Sequence, residues 1–131
     1  MATIRKEIPL GIPPEAVWDV IRDVGAVHTR LTPGYVIDTR LEEGARIVSF
    51  ANGVVARELI VTIDDDSRRL VYAVVGGAAA HHNASFQVFP GKDSGSLLVW
   101  LTDILPDTVA PAFTNMIEGG AAVIKRTLEA R

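Results

Sequence analysis

Apolar and polar residues alternate along most of the chain, which is the spacing of β-strands with one buried face. The first such segment runs from Ile4 to Leu10. Further β-rich runs follow, separated by turn sequences: Tyr35–Leu41, Arg46–Ala51, Val54–Ile63, Leu70–Val75, His82–Phe89 and Leu97–Leu105. Between two of them Asn52-Gly53 predicts a hairpin, whose type I′ turn needs positive φ at both central residues. The pattern predicts about seven strands, the last six forming an antiparallel meander.

Two segments have the three-to-four-residue spacing of helices instead. After the first strand, Pro14 suits the first position of a helix, and apolar residues recur from Val17 to Val24. Gly25 ends this short helix, and Ala26–Leu31 predicts a further turn. The chain therefore places two short helices between its first strand and the meander.

A long helix is predicted at the end of the chain, beginning between Asp107 and Pro111. Its apolar residues form one stripe: Phe113, Met116, Ile117, Gly120, Ala121, Ile124 and Leu128. Gly119 and Gly120 are unusual there, because each glycine inside a helix costs about 1 kcal/mol relative to alanine. They indicate either close packing of the helix on the sheet or room for a ligand beneath it.

Composition narrows the function classes. The 131 residues are 48% hydrophobic but only 6% aromatic, contain no cysteine and carry a formal net charge of −3. The length predicts one domain, residues 1–131. The absence of cysteine excludes disulfides, a thiolate nucleophile and cysteine-ligated metals. The charge argues against nucleic acid as a partner, because phosphate binding needs a concentrated basic face.

Targeting, cofactor and metal motifs are absent from the sequence. There is no signal peptide and no apolar run long enough to cross a membrane, so a cytoplasmic protein is expected. No phosphate-binding or dinucleotide-binding glycine motif occurs, and no cofactor is expected. His81 and His82 point to opposite faces of a strand, and His28 is expected at the surface or a rim. We therefore predict no metal site.

Glu58 is the charged residue with the most apolar surroundings. On its strand face it lies among small and apolar neighbours, including Ala56 and Ile60. A carboxylate there is costly unless it is paired or bound. It could pair across the sheet with an arginine such as Arg46. Alternatively, it could anchor a ligand or act as a general base.

Five segments carry a resemblance to a known superfamily: Pro13–Asp23, Arg57–Asp65, Arg69–Tyr72, Val74–Phe86 and Leu98–Trp100. In their order along the chain they resemble the START-like superfamily, also called SRPBCC or Bet v 1-like. The P-x-x-V-W opening of the first helix is typical of its polyketide cyclase/dehydrase-like branch. The block from Arg57 to Phe86 is also similar to plant abscisic acid receptors. The cavity lysine of those receptors has no counterpart in Tyr35–Leu41.

The resemblance implies an α+β helix-grip fold, in which a curved antiparallel sheet wraps around the C-terminal helix and encloses an apolar cavity. The loop Gly76–His82 resembles a gate at the mouth of this cavity. Ala56, Ile60, Val74, Ala121 and Ile124 would contribute to its walls. The residues expected to contact a ligand are Glu58, Tyr72, His82, Ala84, Phe86, Trp100, Thr102, Phe113 and Ile117.

Three functions agree with this fold. The first is a binding protein, a monomer or homodimer, that holds a small hydrophobic molecule of lipid, polyketide or hormone type. The second is a cyclase or dehydratase, in which Glu58 or His82 is the acid or base and Tyr72 polarises a carbonyl. The third is a protein-interaction domain, which would show an exposed apolar patch and no cavity.

Overall fold

A computed structural model describes residues 2–130. The strands and helices are β1 (Ala2–Leu10), α1 (Pro14–Ile21), a π-helical turn (Val27–Leu31), β2 (Val36–Glu42), β3 (Ala45–Phe50), β4 (Val55–Asp64), β5 (Arg69–Val75), β6 (His81–Pro90), β7 (Ser96–Leu105) and α2 (Ala110–Glu129). Short 3₁₀ turns lie at Lys92–Ser94 and Asp107–Val109. The bounds of β2 to β7 agree with the predicted runs to within one residue.

The strands form one antiparallel sheet in the order β1-β7-β6-β5-β4-β3-β2. Strands β2 to β7 follow one another as a meander, and β1 joins the far edge by pairing with β7. The sheet curves around α2, and the predicted helix-grip fold is confirmed. A sheet that is curved in this way leaves interior space between itself and the helix, and that space contains the candidate site.

The hydrophobic core lies between the concave face of the sheet and the helices. From α1 it includes Val17, Val20 and Ile21, all of which are buried. The apolar stripe predicted for α2 supplies Ile117, Ala121, Ile124 and Leu128. Because each buried methylene contributes about 0.8 kcal/mol, this shared core holds helices and sheet together.

The second half of α2 is anchored to β1 by polar contacts. Lys6 Nζ lies 2.9 Å from Glu118 Oε2, and Lys125 Nζ donates a hydrogen bond to the Pro9 carbonyl. Beyond the strand, the Gly11 N–H donates to Glu129 Oε2 at 3.0 Å. These contacts fix the helix from Glu118 onward against the edge of the sheet. Within residues 2–130, no helix combines the length and apolar character needed to cross a membrane.

Gly119 and Gly120 let two aromatic rings approach α2 closely. A Cβ atom on Gly119 would lie 3.2 Å from Tyr35 Cε1, and one on Gly120 would lie 3.2 Å from Trp100 Cη2. Both distances are shorter than ordinary van der Waals contact. The close-packing interpretation of the two glycines is thus confirmed, and what packs against them is a pair of rings.

A β-bulge in β4 alters the predicted faces of that strand. Pairing with β5 moves from Ile60↔Tyr72 to Thr62↔Val71, so one residue, Val61, is extra. Simple alternation places Ile63 on the same face as Val61. In the structure, Ile63 instead pairs with Leu70, whose side chain is buried in the core. Ile63 changes face because one inserted residue reverses the side of the sheet to which every later residue of the strand points.

The Asn52-Gly53 hairpin is present, but its turn is not of type I′. Of the two residues only Gly53 has a positive φ, of +92°. The Phe50 N–H donates to the Val54 carbonyl at 2.8 Å, and the Val54 N–H donates to Asn52 Oδ1 at 3.0 Å. The asparagine side chain therefore stabilises the turn by a hydrogen bond to the backbone, and Asn52 itself is not in the left-handed conformation.

Candidate functional site: an internal cavity

A cavity of about 480 Å³ lies between the sheet and the first half of α2. This volume is within the range of about 300–1,000 Å³ that small-molecule sites occupy. The walls come from β4 to β7, from α2 and from the segments around Tyr35 and Asn52. The lining residues are Tyr35, Phe50, Asn52, Val54, Val55, Ala56, Glu58, Tyr72, Val74, Val75, Gly76, Gly77, Ala78, Ala79, His82, Trp100, Thr102, Ala112, Phe113, Met116 and Ile117.

The structure brings most of the predicted ligand contacts together on this cavity. These are Glu58, Tyr72, His82, Trp100, Thr102, Phe113 and Ile117. Ala84 and Phe86 do not line it. Ala84 is buried in the core, and Phe86 lies behind two other rings. Ile60, Ala121 and Ile124, expected as further wall residues, are also outside the lining.

Several lining residues were not predicted from the sequence. Tyr35 and Phe50 flank β2 and β3, and their rings meet edge to face at 6.1 Å. Val54 and Val55 stand at the start of β4, with half or more of their surfaces exposed. Met116 belongs to the apolar stripe of α2, which identified it as apolar without showing that it faces open space.

Glu58 forms a buried ion pair at the inner end of the cavity. Arg46, opposite it on β3, donates from Nε to Glu58 Oε1 at 2.7 Å. Their side chains are only 5% and 9% exposed. The Arg46 guanidinium also lies 5.0 Å from the centre of the Tyr72 ring, a cation–π contact. The pairing alternative for Glu58 is confirmed, and Glu58 also faces the cavity.

Tyr72 belongs to a stack of rings at the same end. Phe86 lies 6.2 Å from Tyr72 and 4.7 Å from Trp100, centre to centre, with both pairs stacked. Trp100 Nε1 donates to the Tyr72 hydroxyl at 3.2 Å. Burial, and then the charge of Glu58, raises the pKa of Tyr72 far above its usual value. The phenol therefore keeps its proton at neutral pH and has it available for an acceptor in the cavity.

His82 faces the cavity from β6, near the mouth. Its ring meets Phe113 edge to face at 5.0 Å. Burial, with a smaller effect from His81, lowers the pKa of His82 below its usual 6.5. The imidazole is therefore neutral at pH 7, and a neutral imidazole can accept a proton or a hydrogen bond.

The lowered pKa of His82 makes the stability of the fold depend on pH. In the unfolded chain this histidine binds a proton more readily, so stability is full above about pH 6.5 and falls as the pH drops further. We expect the free energy of unfolding to fall between pH 7.5 and pH 5, and to fall less in His82→Gln. Urea denaturation at both pH values measures this. His81 is an exposed neighbour, and we expect His81→Gln to retain most of the pH dependence. If stability fell with pH as steeply in His82→Gln as in the unaltered protein, the prediction would be wrong.

No part of the site resembles a metal centre. Within residues 2–130, no three histidine, aspartate or glutamate side chains are grouped so that they could hold an ion. His81 turns away from His82 and contacts Asn83 Oδ1 through Nε2 at 2.6 Å. His28 is half-buried, and its Nδ1 atom has no hydrogen-bond partner.

The loop between β5 and β6 lines an exposed part of the cavity wall, which we take as the mouth of the cavity. Gly76 and Gly77 adopt φ values of +79° and +83°, which other residues rarely adopt. Ala78 and Ala79 follow them along the rim. The loop that was expected to resemble a gate therefore lines the cavity, and its residues there have small side chains or none.

Comparison with known proteins places this geometry in a family. Over residues 1–130 the chain matches the family described as polyketide cyclase / dehydrase and lipid transport. The protein XoxI from Bacillus cereus has a similar structure, with a TM-score of 0.84 at 21% identity over 99% of this chain and 94% of that chain. No curated protein matches the chain.

Two structures of named activity are also similar. The di-domain ARO/CYC BexL of the BE-7585A biosynthetic pathway gives a TM-score of 0.84 at 14% identity, over 98% of this chain and 47% of BexL. Truncated norcoclaurine synthase from Thalictrum flavum gives 0.74 at 16% identity, over 98% and 91% of the two chains. At these identities the likeness shows a shared fold only. The match over residues 1–130 shows more: the chain belongs to the polyketide cyclase / dehydrase and lipid transport family, within the Bet v 1-like superfamily.

Proposed function

We propose that the protein binds a small, mostly apolar molecule that carries a carbonyl or hydroxyl group, and that it does so in the 480 Å³ cavity. The cavity is the observation that supports this most strongly. Its walls are largely aliphatic and aromatic, and its few polar groups are gathered at defined places. Pockets of this composition bind apolar ligands and fix their orientation through a small number of hydrogen bonds.

Tyr72 is the proposed contact for the polar group of the ligand. Its oxygen already accepts a hydrogen bond from Trp100, so its proton is free to donate to a ligand oxygen. Glu58, which lines the same end, accepts a hydrogen bond from Arg46, so the arginine is already engaged. Among residues 2–130, the lining of the main cavity contains no lysine or arginine that could bind an anionic group, which favours a neutral carbonyl or hydroxyl.

Thr102, Phe113, Ile117 and Trp100 are the proposed contacts for the apolar body of the ligand. Trp100 and Phe113 are only partly buried, so both have surface that a ligand can cover, whereas Thr102 and Ile117 are almost fully buried and complete the wall. Apolar surface that a ligand buries against them contributes about 25 cal/mol per Å².

The direct test is to determine whether a small molecule is bound to the purified protein. Native mass spectrometry is expected to detect a bound small molecule, or a complex with added undecan-2-one, which has a carbonyl at one end of an apolar chain. A protein that arrives empty and binds neither this ketone nor other apolar probes would contradict the proposal.

A spectroscopic titration tests the proposed contact. Trp18 and Trp100 are the two tryptophans of the chain, so Trp18→Phe leaves the cavity residue Trp100 as sole reporter. Undecan-2-one is expected to change its fluorescence and to saturate. Tyr72→Phe in that background is expected to weaken binding about 2- to 10-fold, the range for one lost hydrogen bond. Unchanged affinity in Tyr72→Phe would exclude Tyr72 as the contact.

A cyclase or dehydratase is the second candidate, favoured by two groups on one cavity. Neutral His82 could take a proton from a carbon of a polyketide-like chain near the mouth, while Tyr72 donates a hydrogen bond to a carbonyl oxygen at the inner end. Glu58 is less suited to the role of base, because its carboxylate is engaged by Arg46. If the protein is an enzyme, His82→Gln is expected to abolish turnover of a polyketide-like ketone while changing its affinity little. Loss of affinity with turnover intact would contradict the role of His82 as base.

A further inference from the structure

The interior of the protein has a second, smaller chamber beyond the main cavity. It measures about 50 Å³, which has room for about one or two waters. Five residues line both spaces: Tyr35, Phe50, Glu58, Tyr72 and Trp100. Apolar residues form most of the rest of its wall: Val27, Leu31, Val36, Val48, Phe86 and Ile124. The deep chamber therefore lies immediately behind the end of the cavity where the polar group of a ligand is proposed to bind.

Three of the five shared residues, Glu58, Tyr72 and Trp100, are held by contacts within the sheet. Tyr72 and Trp100 are joined by a hydrogen bond and both stack on Phe86, and Glu58 is paired with Arg46. Changing any of these would disturb the ion pair or the ring stack.

Tyr35 is held in a different way. It lies before β2, outside the strand, where its backbone N–H donates to the Thr32 carbonyl. Its ring crosses to α2, and its hydroxyl donates to the Met116 carbonyl at 2.7 Å. Gly119 accepts the ring because no side chain stands there. The ring thus reaches from the segment before β2 to α2, and it lines both chambers.

We propose that Tyr35 determines ligand specificity, because its ring closes the deep chamber and limits how far a ligand extends beyond its polar group. The inference rests on the proposed function, since it takes Tyr72 as the contact for the ligand oxygen. A carbonyl bound to Tyr72 stands at the junction of the chambers. Any atoms beyond that carbonyl meet the Tyr35 ring, whereas atoms on the other side lie in the main cavity.

Two ketones of equal size distinguish a limit imposed by Tyr35 from a general preference for ligands with more apolar surface. Undecan-2-one has one carbon beyond its carbonyl and undecan-4-one has three. We expect the protein to prefer undecan-2-one by about 15-fold, which corresponds to two methylenes at about fourfold each. In Tyr35→Ala the preference is expected to fall below about threefold, because the chambers join. Tyr35→Phe, which keeps the ring and loses the hydroxyl, is expected to retain the preference. Affinities come from isothermal titration calorimetry.

Met116→Ala is the matched control, because it enlarges the main cavity without touching the deep chamber. It is expected to leave the 15-fold preference unchanged. The inference is overturned if both ketones bind the unaltered protein equally, or if Tyr35→Ala keeps the preference. It is also overturned if Met116→Ala or Tyr35→Phe removes the preference as completely as Tyr35→Ala does. If neither ketone binds any variant, the proposed function fails instead.

A crystal structure of Tyr35→Ala gives a measure that needs no ligand. The two chambers are expected to form one continuous space, with Tyr72 and Trp100 in their present positions. Collapse of Phe50 or α2 into the vacated volume would show that Tyr35 supports the core and does not partition it, and would overturn the proposal.

Discussion

Replacing Arg46 with methionine is expected to lower the free energy of unfolding by about 3–5 kcal/mol. The change leaves the Glu58 carboxylate buried without its partner, and it also removes the cation over the Tyr72 ring. Desolvation of an unpaired charge is expensive, which is why the loss greatly exceeds the net value of the pair itself. Urea denaturation at pH 7.5, followed by circular dichroism, measures the loss.

Two comparisons identify the origin of that effect. Arg57 also pairs with a carboxylate across the sheet, at 3.3 Å from Glu42, but both side chains are 40% or more exposed. Arg57→Met is therefore expected to cost no more than about 1 kcal/mol. The double variant Arg46→Met, Glu58→Leu is expected to recover most of the lost stability, because no charge remains buried. A double variant as unstable as Arg46→Met would show that the arginine itself, and not the stranded carboxylate, is what the fold needs.

Filling the cavity is expected to abolish ligand binding without unfolding the protein. Val74 lines the cavity directly beside Glu58 in the β4–β5 register, and it is only partly buried. In Val74→Trp the indole takes the space that a ligand needs. We expect the affinity for undecan-2-one to fall by about 100-fold or more, which is about 2.7 kcal/mol. Calorimetry gives the affinity, and thermal unfolding shows whether the fold persists.

Val61→Trp is the matched control for this substitution. Val61 stands at the bulge of β4, is 60% exposed and lies outside the cavity lining. The same indole there is expected to leave binding unchanged. If the two variants bind the ketone equally well, the ligand site is elsewhere on the protein.

Most strands were predictable because more and less buried residues alternate along much of their length, as in β1 and β6. The bounds agree to within one residue even for β7, which is apolar on both faces. What alternation cannot show is an inserted residue. The bulge at Val61 reverses the face of Ile63, and no feature of the sequence around it distinguishes a bulged strand from a regular one.

The site was predictable only as far as inward-facing positions coincide with open space. Tyr72, Trp100 and Thr102 face inward and reach the cavity. Ala84 and Phe86 also face inward, yet they lie where the sheet and its rings close on one another. Whether an inward-facing residue reaches the cavity depends on the curvature of the sheet and on the volume of side chains from distant segments. The spacing of residues along the chain gives no information on either.

Tyr35 is the opposite case, a cavity residue that the sequence did not predict. The sequence predicted Tyr35 as the first residue of a strand, whereas in the structure it precedes β2 and its hydroxyl reaches a helix more than eighty residues further along the chain. The glycine pair in α2 indicated close packing or room for a ligand, but the sequence did not identify Tyr35 as the residue that packs there.

The pairing of β1 with β7 has a consequence for the order in which the protein is made. The meander of β2 to β7 needs only contacts between neighbours in sequence, which form quickly. The edge strand β1 can pair only after β7 has been made, and α2 is anchored to β1 through Lys6 and Pro9 and to the residue after it, Gly11. The interior is thus enclosed only when the first and last elements have met. During synthesis, a partly made chain has the sheet's apolar face without a helix to cover it, and the cavity is not enclosed until α2 has left the ribosome and packed on the sheet.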